Sequence, residues 1–532
     1  MTVLTSRLDT AGEEYARNRA ALLAQVEALQ AACAEAVAGG GEAYVARHRA
    51  RGRLLARERI ELLLDPDSAF LELSTLAGWG TEFTTGAGII TGVGVVSGTE
   101  CVVVAHDPTV RGGTMNPWTL RKNLRALEIA RVNRLPVVYL VESGGADLAS
   151  QAELFVPFGR VFAELTALSA AGVPSLALVF GGATAGGAYV PAMCDHAVLV
   201  DEQAQVFLGG PPLVRMATGE DADAEQLGGA AMHARVSGLA DQLAVDERDA
   251  LRLGRRVVAR WHWRKAGPGP RLAPRPPRYD AEEILGVVSA DHRVPFDPRE
   301  VLARLVDDSD LDEYKPLYGT SLVTGWAALH GHDVGVLANH RGVLFGEEAQ
   351  KATEFILLAN QSDTPLVFLQ NTTGYMVGTR YEQAGIIKDG AKMINAVANS
   401  TVPHLTVQMA ASFGAGNYGM AGRAFDPRFV FSWPGMRQAV MGATQLAGVL
   451  SLVARASAEA RGRPFDEQAD EERRHAVEAQ IDAESHAFAM SGRVYDDGVL
   501  DPRDTRDALG VALSATCSAP VTGRRGFGVF RM

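Results

Sequence analysis

Along the chain the spacing of apolar positions changes its period. Between residues 12 and 64, Leu22, Leu23, Val26 and Leu29 recur three and four residues apart with charged positions between them, which predicts a helical N-terminal arm over residues 1–64. From Gly86 onward, short β-branched runs such as Cys101-Val-Val-Val-Ala105 and Val137-Val-Tyr-Leu-Val141 alternate with helical stretches such as Leu120–Asn133. Strands that alternate with helices predict an α/β layer fold.

The pattern then repeats itself. Pro136-Val-Val-Tyr-Leu-Val-Glu-Ser-Gly-Gly145 matches Pro365-Leu-Val-Phe-Leu-Gln-Asn-Thr-Thr-Gly374, an offset of 229, and Pro174–Tyr189 meets Pro403–Tyr418 at the same offset. Upstream, Gly98–Ala105 resembles Gly331–Ala338 at offset 233, so two copies of one fold are expected, differing by a small gap. Between them, RKAGPGPRLAPRPPR at 264–278 holds five prolines and no acid, a composition that favours an extended, exposed connection. The expected organisation is an arm over 1–64, a first domain over 65–263, a linker over 264–280 and a second domain over 281–532.

Charge and composition narrow the function. With 51 Lys+Arg against 63 Asp+Glu the formal charge is −12, which argues against nucleic acid or an anionic membrane as the main partner. Cys33, Cys101, Cys194 and Cys517 form no CxxC pair, so neither a zinc knuckle nor a dithiol redox site is expected, and no metal site is assigned. The N-terminus carries Asp9, Glu13 and Glu14 without an apolar run, as in a cytoplasmic enzyme. Leu165–Cys194 and Met393–Gly422 lack Asp, Glu, Lys and Arg and are long enough to span a bilayer. In the first, Gly172, Pro174, Gly181, Gly182, Gly186, Gly187 and Pro191 punctuate the run, which predicts helix end, strand, turn and short helix instead.

The candidate chemistry sits where both copies end alike, in a hydrophobic strand, a run of small residues and a short helix. The first N–H groups of a helix have no intrahelical acceptor and lie at its positive end, so they can hold an oxygen that gains negative charge. Gly186 and Gly187 are the expected donors in the first copy, Ala415 and Gly416 in the second. The alternative for either copy alone is a tight turn in which glycine serves packing.

Other motifs fall short. Gly414-Ala-Gly416-Asn-Tyr-Gly419 satisfies GxGxxG, yet Phe429–Pro434 supplies no acid at the end of a second strand. No GxxxxGK[ST] loop, HExxH helix or complete GxSxG elbow is present, although Ser412 with Gly414 makes half of the last. His106, His233 and His404 are scattered and read as packing or surface residues.

Gly182-Ala-Thr-Ala-Gly-Gly-Ala-Tyr-Val-Pro-Ala-Met193, Phe207-Leu-Gly-Gly-Pro-Pro-Leu-Val214 and Ser412-Phe-Gly-Ala-Gly-Asn-Tyr-Gly-Met420 resemble the β subunit of biotin-dependent acyl-CoA carboxylases, and the likeness runs from about residue 50 to the end. Gly86–Gly92, Gly342–Phe345, Gly374–Gly378 and Asp497–Arg506 add to it. Asn-Tyr-Gly-Met at 417–420 resembles the 3-methylcrotonyl-CoA and geranyl-CoA branch. The segment after Gly145 is shorter than in 3-methylcrotonyl enzymes, and Asn339-His-Arg-Gly342 is one residue longer.

The resemblance implies two tandem crotonase-like domains, acyl-CoA held by the first and carboxybiotin by the second. It implies a biotin carboxylase/biotin carrier α subunit as partner, an active site shared between protomers, and a homo-hexameric core within an α6β6 complex. Gly186 and Gly187 would hold the thioester oxygen and Ala415 and Gly416 the ureido oxygen of biotin, which supplies the base. Gly144, Gly145, Ala183, Thr184, Tyr189, Gly374, Phe413 and Tyr418 would line the substrate and biotin pocket. Gly390-Ala-Lys392-Met393 resembles part of a biotin-attachment sequence but lacks its first methionine, so biotin is expected on the partner and not on this chain. The leading reading is carboxyl transfer to 3-methylcrotonyl-CoA. The alternatives are propionyl-CoA, acetyl-CoA or another acyl-CoA, a biotin-dependent decarboxylase, a crotonase-type hydratase or isomerase, and an idle assembly subunit.

Overall fold

The computed structural model describes residues 2–532. β-branched runs bounded by turn residues fold into two eight-stranded sheets that share one plan. In the first, Phe70–Leu73, Ile89–Val96 and Thr99–His106 form an antiparallel meander, and Val137–Ser143, Ser175–Thr184, His196–Val200 and Gln242–Ala244 continue in parallel. In the second, Asp310–Glu313, Leu322–Leu329 and His332–Asn339 are antiparallel, followed in parallel by Leu366–Thr372, His404–Phe413 and Phe429–Ser432.

The copies correspond residue by residue. Val137 pairs with Ser175 in the first sheet and Leu366 with His404 in the second, and both pairings shift register further on, to Ser143 with Ala183 and Thr372 with Ser412. All four positions keep the offset of 229, whereas Val102 opposite Val137 and Gly335 opposite Leu366 keep 233 for the preceding strand. Beyond the shift each long strand takes a second, short neighbour, Gln205–Phe207 in the first half and Arg437–Ala439 in the second. The irregularity therefore ends normal sheet pairing at the place where the chemistry is expected.

One apolar core joins the halves. Val102, Val104, Tyr139 and Val141 of the first sheet belong to the same cluster as Val334, Val336, Val367 and Leu405 of the second, together with Leu509 and Leu513 of the C-terminal helix Thr505–Thr516. The opposite faces are separate. Ile60 and Leu63 with Leu251 and Val258 cover the first sheet, and Phe355, Ile356, Met393 and Val397 cover the second.

The N-terminal segment engages both halves. Thr2–Val3 adds an antiparallel strand to the second sheet, and the helix Glu13–Val37 buries Leu22 and Val26 against Leu285. That helix is the one element among the described residues long and apolar enough to cross a membrane by composition, and it packs here on the protein body. Leu165–Cys194 divides into a helix end, Ser175–Thr184 and Ala185–Met193, as its punctuation predicts. Residues 264–280 contain neither helix nor strand and lie mostly exposed, but they are tied down, with Gly267 N–H donating to Cys517 O at 2.8 Å and Arg271 N–H to Gly331 O at 2.8 Å.

A buried ion pair clamps the halves. On the helix Pro117–Asn133, Arg125 donates from Nε to Asp497 Oδ1 at 2.6 Å and from Nη2 to Asp497 Oδ2 at 2.8 Å, both side chains being out of solvent. Asp497 Oδ2 also accepts the Val430 N–H at 2.7 Å. Removing one member leaves a buried charge unmatched, at a cost of about 3–5 kcal/mol. Arg125→Met should therefore lower the denaturant midpoint strongly, read by circular dichroism against urea; an unchanged midpoint would remove the clamp from this account.

Candidate active site

Both halves end their central strand in one conformation. Thr184 (φ −108°, ψ 144°) and Phe413 (φ −111°, ψ 144°) are extended, and the next residues, Ala185 (φ 54°) and Gly414 (φ 52°), turn left-handed before the chain enters helix. Glycine meets this requirement freely, whereas Ala185 accepts an unfavourable backbone at the equivalent place. A tight turn Ala185–Ala188 leads into Tyr189–Met193, and Gly414–Gly419 forms the second helix.

Gly186 and Ala415 are thus the second residue of each helical turn, and Gly187 and Gly416 the third. In the α-helix Gly414–Gly419 the amides of Ala415 and Gly416 lack an intrahelical acceptor, whereas Ala185–Ala188 is a 3₁₀ turn, which leaves the Gly186 amide free and sets the Gly187 N–H toward Thr184 O. Among the described residues none of the four donates to a loop carbonyl or a side chain, so the sequence-predicted donors are brought together in two pairs, one per half. Each pair rests on the neighbouring strand end. A Cβ at Gly416 would lie 2.5 Å from Thr372 Oγ1 and 2.9 Å from Gly374 Cα, and one at Gly187 would lie 3.4 Å from Ser143 Oγ. Gly145 and Gly374, both left-handed, each donate N–H at 3.2 Å to the hydroxyl two residues back, Ser143 Oγ and Thr372 Oγ1.

The remaining predicted residues fall around these turns. Gly144 follows the strand Val137–Ser143 and donates its N–H to Gly112 O at 3.0 Å, and Ala183 and Thr184 end the adjacent strand. Tyr189 is 40% exposed with its ring 5.4 Å from Phe162, and Tyr418 is 44% exposed with its ring 5.7 Å from Phe425. Phe413 is buried with its ring 5.8 Å from His292.

A cavity of about 540 Å³ opens over the second turn, lined by Ala415 and Tyr418 with Val440, Leu446, Ile481 and Arg493 among others. Every residue lining it comes from 412–495, and neither Gly186 nor Gly187 does. Within one chain the two turns do not share this cavity.

The family model "Carboxyl transferase domain" matches residues 47–529. The chain belongs to the carboxyl transferase family.

Three relatives of this carboxyl transferase are informative. It is 62% identical, over the whole of both chains, to the "Probable biotin-dependent acyl-coenzyme A carboxylase beta2 subunit" of Mycobacterium tuberculosis. It is 48% identical, over 94% of this chain and 95% of the other, to the "Biotin-dependent 3-methylcrotonyl-coenzyme A carboxylase beta1 subunit" of the same organism. Its fold superposes on the geranyl-CoA carboxylase β subunit of P. aeruginosa with a TM-score of 0.90 at 43% identity, covering 99% of each chain. The family likeness expected from the motifs holds, as does the α/β crotonase-like plan.

Several contributors escaped the sequence reading. The floor of the second turn is a buried polar network in which Ser412 Oγ donates to Gln370 Oε1 at 2.6 Å, Asn417 Nδ2 to Ser412 Oγ at 2.7 Å and Gln370 Nε2 to Met420 O at 2.7 Å. Ser412 is therefore a brace. In the first half the equivalent positions are Val141, Ala183 and Ala188, all buried and apolar, so comparing the two repeats column by column would have exposed the difference. Phe158 escaped too; its ring would lie 2.9 Å from a Cβ at Gly186 and borders that donor. Glu142, just before Ser143, is held by Arg53 at 2.6 Å and Arg59 at 2.7 Å, which keep its carboxyl below the ordinary range against the effect of burial.

Among the described residues no histidine forms a triad-like base. His233 rings to Ser237 Oγ and Val206 O, both at 2.7 Å, and His404 Nε2 lies 2.8 Å from Ser400 Oγ. Burial lowers His106 from 6.5 to about 4 and His404 to about 3, so both are neutral in the fold. An unfolded chain would bind these protons from pH 6.5 downward while the folded one would not, so stability present above 6.5 is lost as pH falls toward 4. His404→Gln should shallow that decline in the urea midpoint measured from pH 7 to pH 4; an identical slope would assign the decline elsewhere.

Proposed function

We propose that this chain is the carboxyltransferase subunit of a biotin-dependent acyl-CoA carboxylase, and that 3-methylcrotonyl-CoA is its acceptor. The observation that carries the reading is the duplicated strand-to-helix turn, which opens a helix with unspent first-turn amides in each copy, on a chain 48% identical to a 3-methylcrotonyl-coenzyme A carboxylase β subunit. Residues 65–263 would take the acyl-CoA and residues 281–532 the biotin. A homo-hexameric core, a biotin carboxylase/biotin carrier α subunit and a cytoplasmic location belong to the same proposal.

The second cavity suits biotin, since its volume of about 540 Å³ lies within the ordinary range for small-molecule pockets and the Ala415 backbone lines it. Carboxybiotin on the partner's carrier supplies the carboxyl group and the base that removes the substrate's proton. Gly186 and Gly187 donate their N–H groups to the thioester oxygen as charge collects there. Ala415 and Gly416 donate theirs to the ureido oxygen. Such fixed dipoles hold developing charge without reorganising, so no side-chain nucleophile is required. In 3-methylcrotonyl-CoA the conjugated double bond spreads the charge to the γ-carbon, and the same two amides then activate the distal methyl group. Because Gly186 and Gly187 do not line the second cavity, a second copy of the chain supplies the acyl-CoA side to it.

A second acceptor has its own support. The 62% identical relative is named only as an acyl-coenzyme A carboxylase subunit, so a different acyl group is the competing reading.

Two measurements decide. With a biotinylated α subunit, ATP and labelled bicarbonate, kcat/KM should be highest for 3-methylcrotonyl-CoA among acetyl, propionyl, 3-methylcrotonyl and geranyl thioesters; a higher value for another thioester would transfer the assignment to it. Ala415→Pro removes one donor at a first-turn position that tolerates proline, whereas at Gly416 any Cβ meets the Gly374 backbone. It should cut transfer by roughly 10²–10³-fold in a folded protein; normal turnover would refute the donor role.

A further inference from the structure

Arg493 lines the cavity over Ala415 and is also part of the adjoining cleft of about 650 Å³ between the halves. Most arginines of that cleft are matched: Arg125 binds Asp497 at 2.6 Å, Arg423 binds Glu128 at 2.8 Å, and Arg131 binds Glu164 at 3.2 Å. Arg493 is not. Its Nη1 donates to two backbone carbonyls, Glu484 O and Ala489 O, each at 3.2 Å, and among the described residues it has no carboxylate within ion-pair distance. The one carboxylate lining the cavity, Glu484, accepts instead from Gln480 Nε2 at 3.0 Å. Nearby Arg437 likewise donates to a backbone oxygen, Asp482 O, at 3.1 Å, and burial with these two cations holds His486 below its ordinary value.

A half-sheltered guanidinium kept without a counter-charge is costly unless an anion completes it, and its planar fork matches a carboxylate. We infer that Arg493 is the carboxylate-binding residue of this cavity, holding the carboxyl group that biotin carries into it. The inference rests on the carboxyltransferase reading and adds to it the group that recognises the loaded from the unloaded state. A cation on the carboxylate stabilises the bound ground state, so Arg493 acts on capture and not on the loss of the carboxyl group.

Calorimetry on the full chain tests this with two stable probes, neutral biotinamide and N1′-carboxymethyl-biotinamide, in which a carboxylate stands on the ureido nitrogen. The native protein should bind the anionic probe more tightly by roughly tenfold or more, the range of a charge-assisted hydrogen bond. Arg493→Gln should abolish that preference and leave the neutral probe's Kd unchanged, and Arg493→Lys should keep part of it. Kinetically, Arg493→Gln should raise KM for the carboxylated carrier with little change in kcat or in KM for acyl-CoA. Equal binding of both probes by the native protein, or a preference that survives in Arg493→Gln, overturns the inference. Should the native enzyme nevertheless transfer the carboxyl group, only this inference falls; should it transfer none, the functional reading falls with it.

Discussion

The function proposed for this molecule depends on peptide N–H groups that the start of a helix leaves without an acceptor. A helix cannot satisfy its own first amides, and a register shift interrupts the regular ladder just before them. Placing the second feature immediately before the first yields amides that are rigid and aimed away from the ladder. The left-handed residue between them, Ala185 or Gly414, makes the abrupt change of direction possible. Because the donors belong to the main chain, they do not titrate and keep their strength at any working pH.

Under the proposed function, duplication lets one chain serve two oxygens of different chemistry. The two turns agree in dihedral angles and register, but their surroundings diverge. Under the first lie Val141, Ala183 and Ala188, with Phe158 at its border, an apolar setting suited to an acyl thioester. Under the second lie Gln370, Ser412 and Asn417, each bonded to another, and a cavity containing a guanidinium. A polar floor fixes its helix by hydrogen bonds, which are directional, and an apolar floor fixes it by packing alone. The clamp of Arg125 on Asp497 holds the halves in one relation, and the continuous core between the sheets reinforces it.

Much of this was legible in the sequence where it depends on local pattern. Short β-branched runs marked the strands, glycine and proline broke the charge-free stretch Leu165–Cys194 that length alone would have admitted to a membrane, and the offset of 229 announced two copies whose strands pair at matching positions. Offset 233 located the gap between strands. What resisted reading depends on contacts between distant positions. Gln370 meets Ser412 only because parallel strands bring them side by side, and Arg125 finds Asp497 across most of the chain. Apolar spacing predicts a helical N-terminal arm, yet its first residues extend the second sheet, a pairing that no periodicity announces.

The most direct test of the central claim exchanges a single atom group. Incorporating glycolic acid in place of Gly416, and separately of Gly186, replaces one peptide N–H by an ester oxygen and adds no side chain. If unspent main-chain donors stabilise the two oxygens, each ester protein should fold and bind acyl-CoA as before while carboxyl transfer drops by about two to three orders of magnitude. Transfer at the native rate from either ester protein would contradict it.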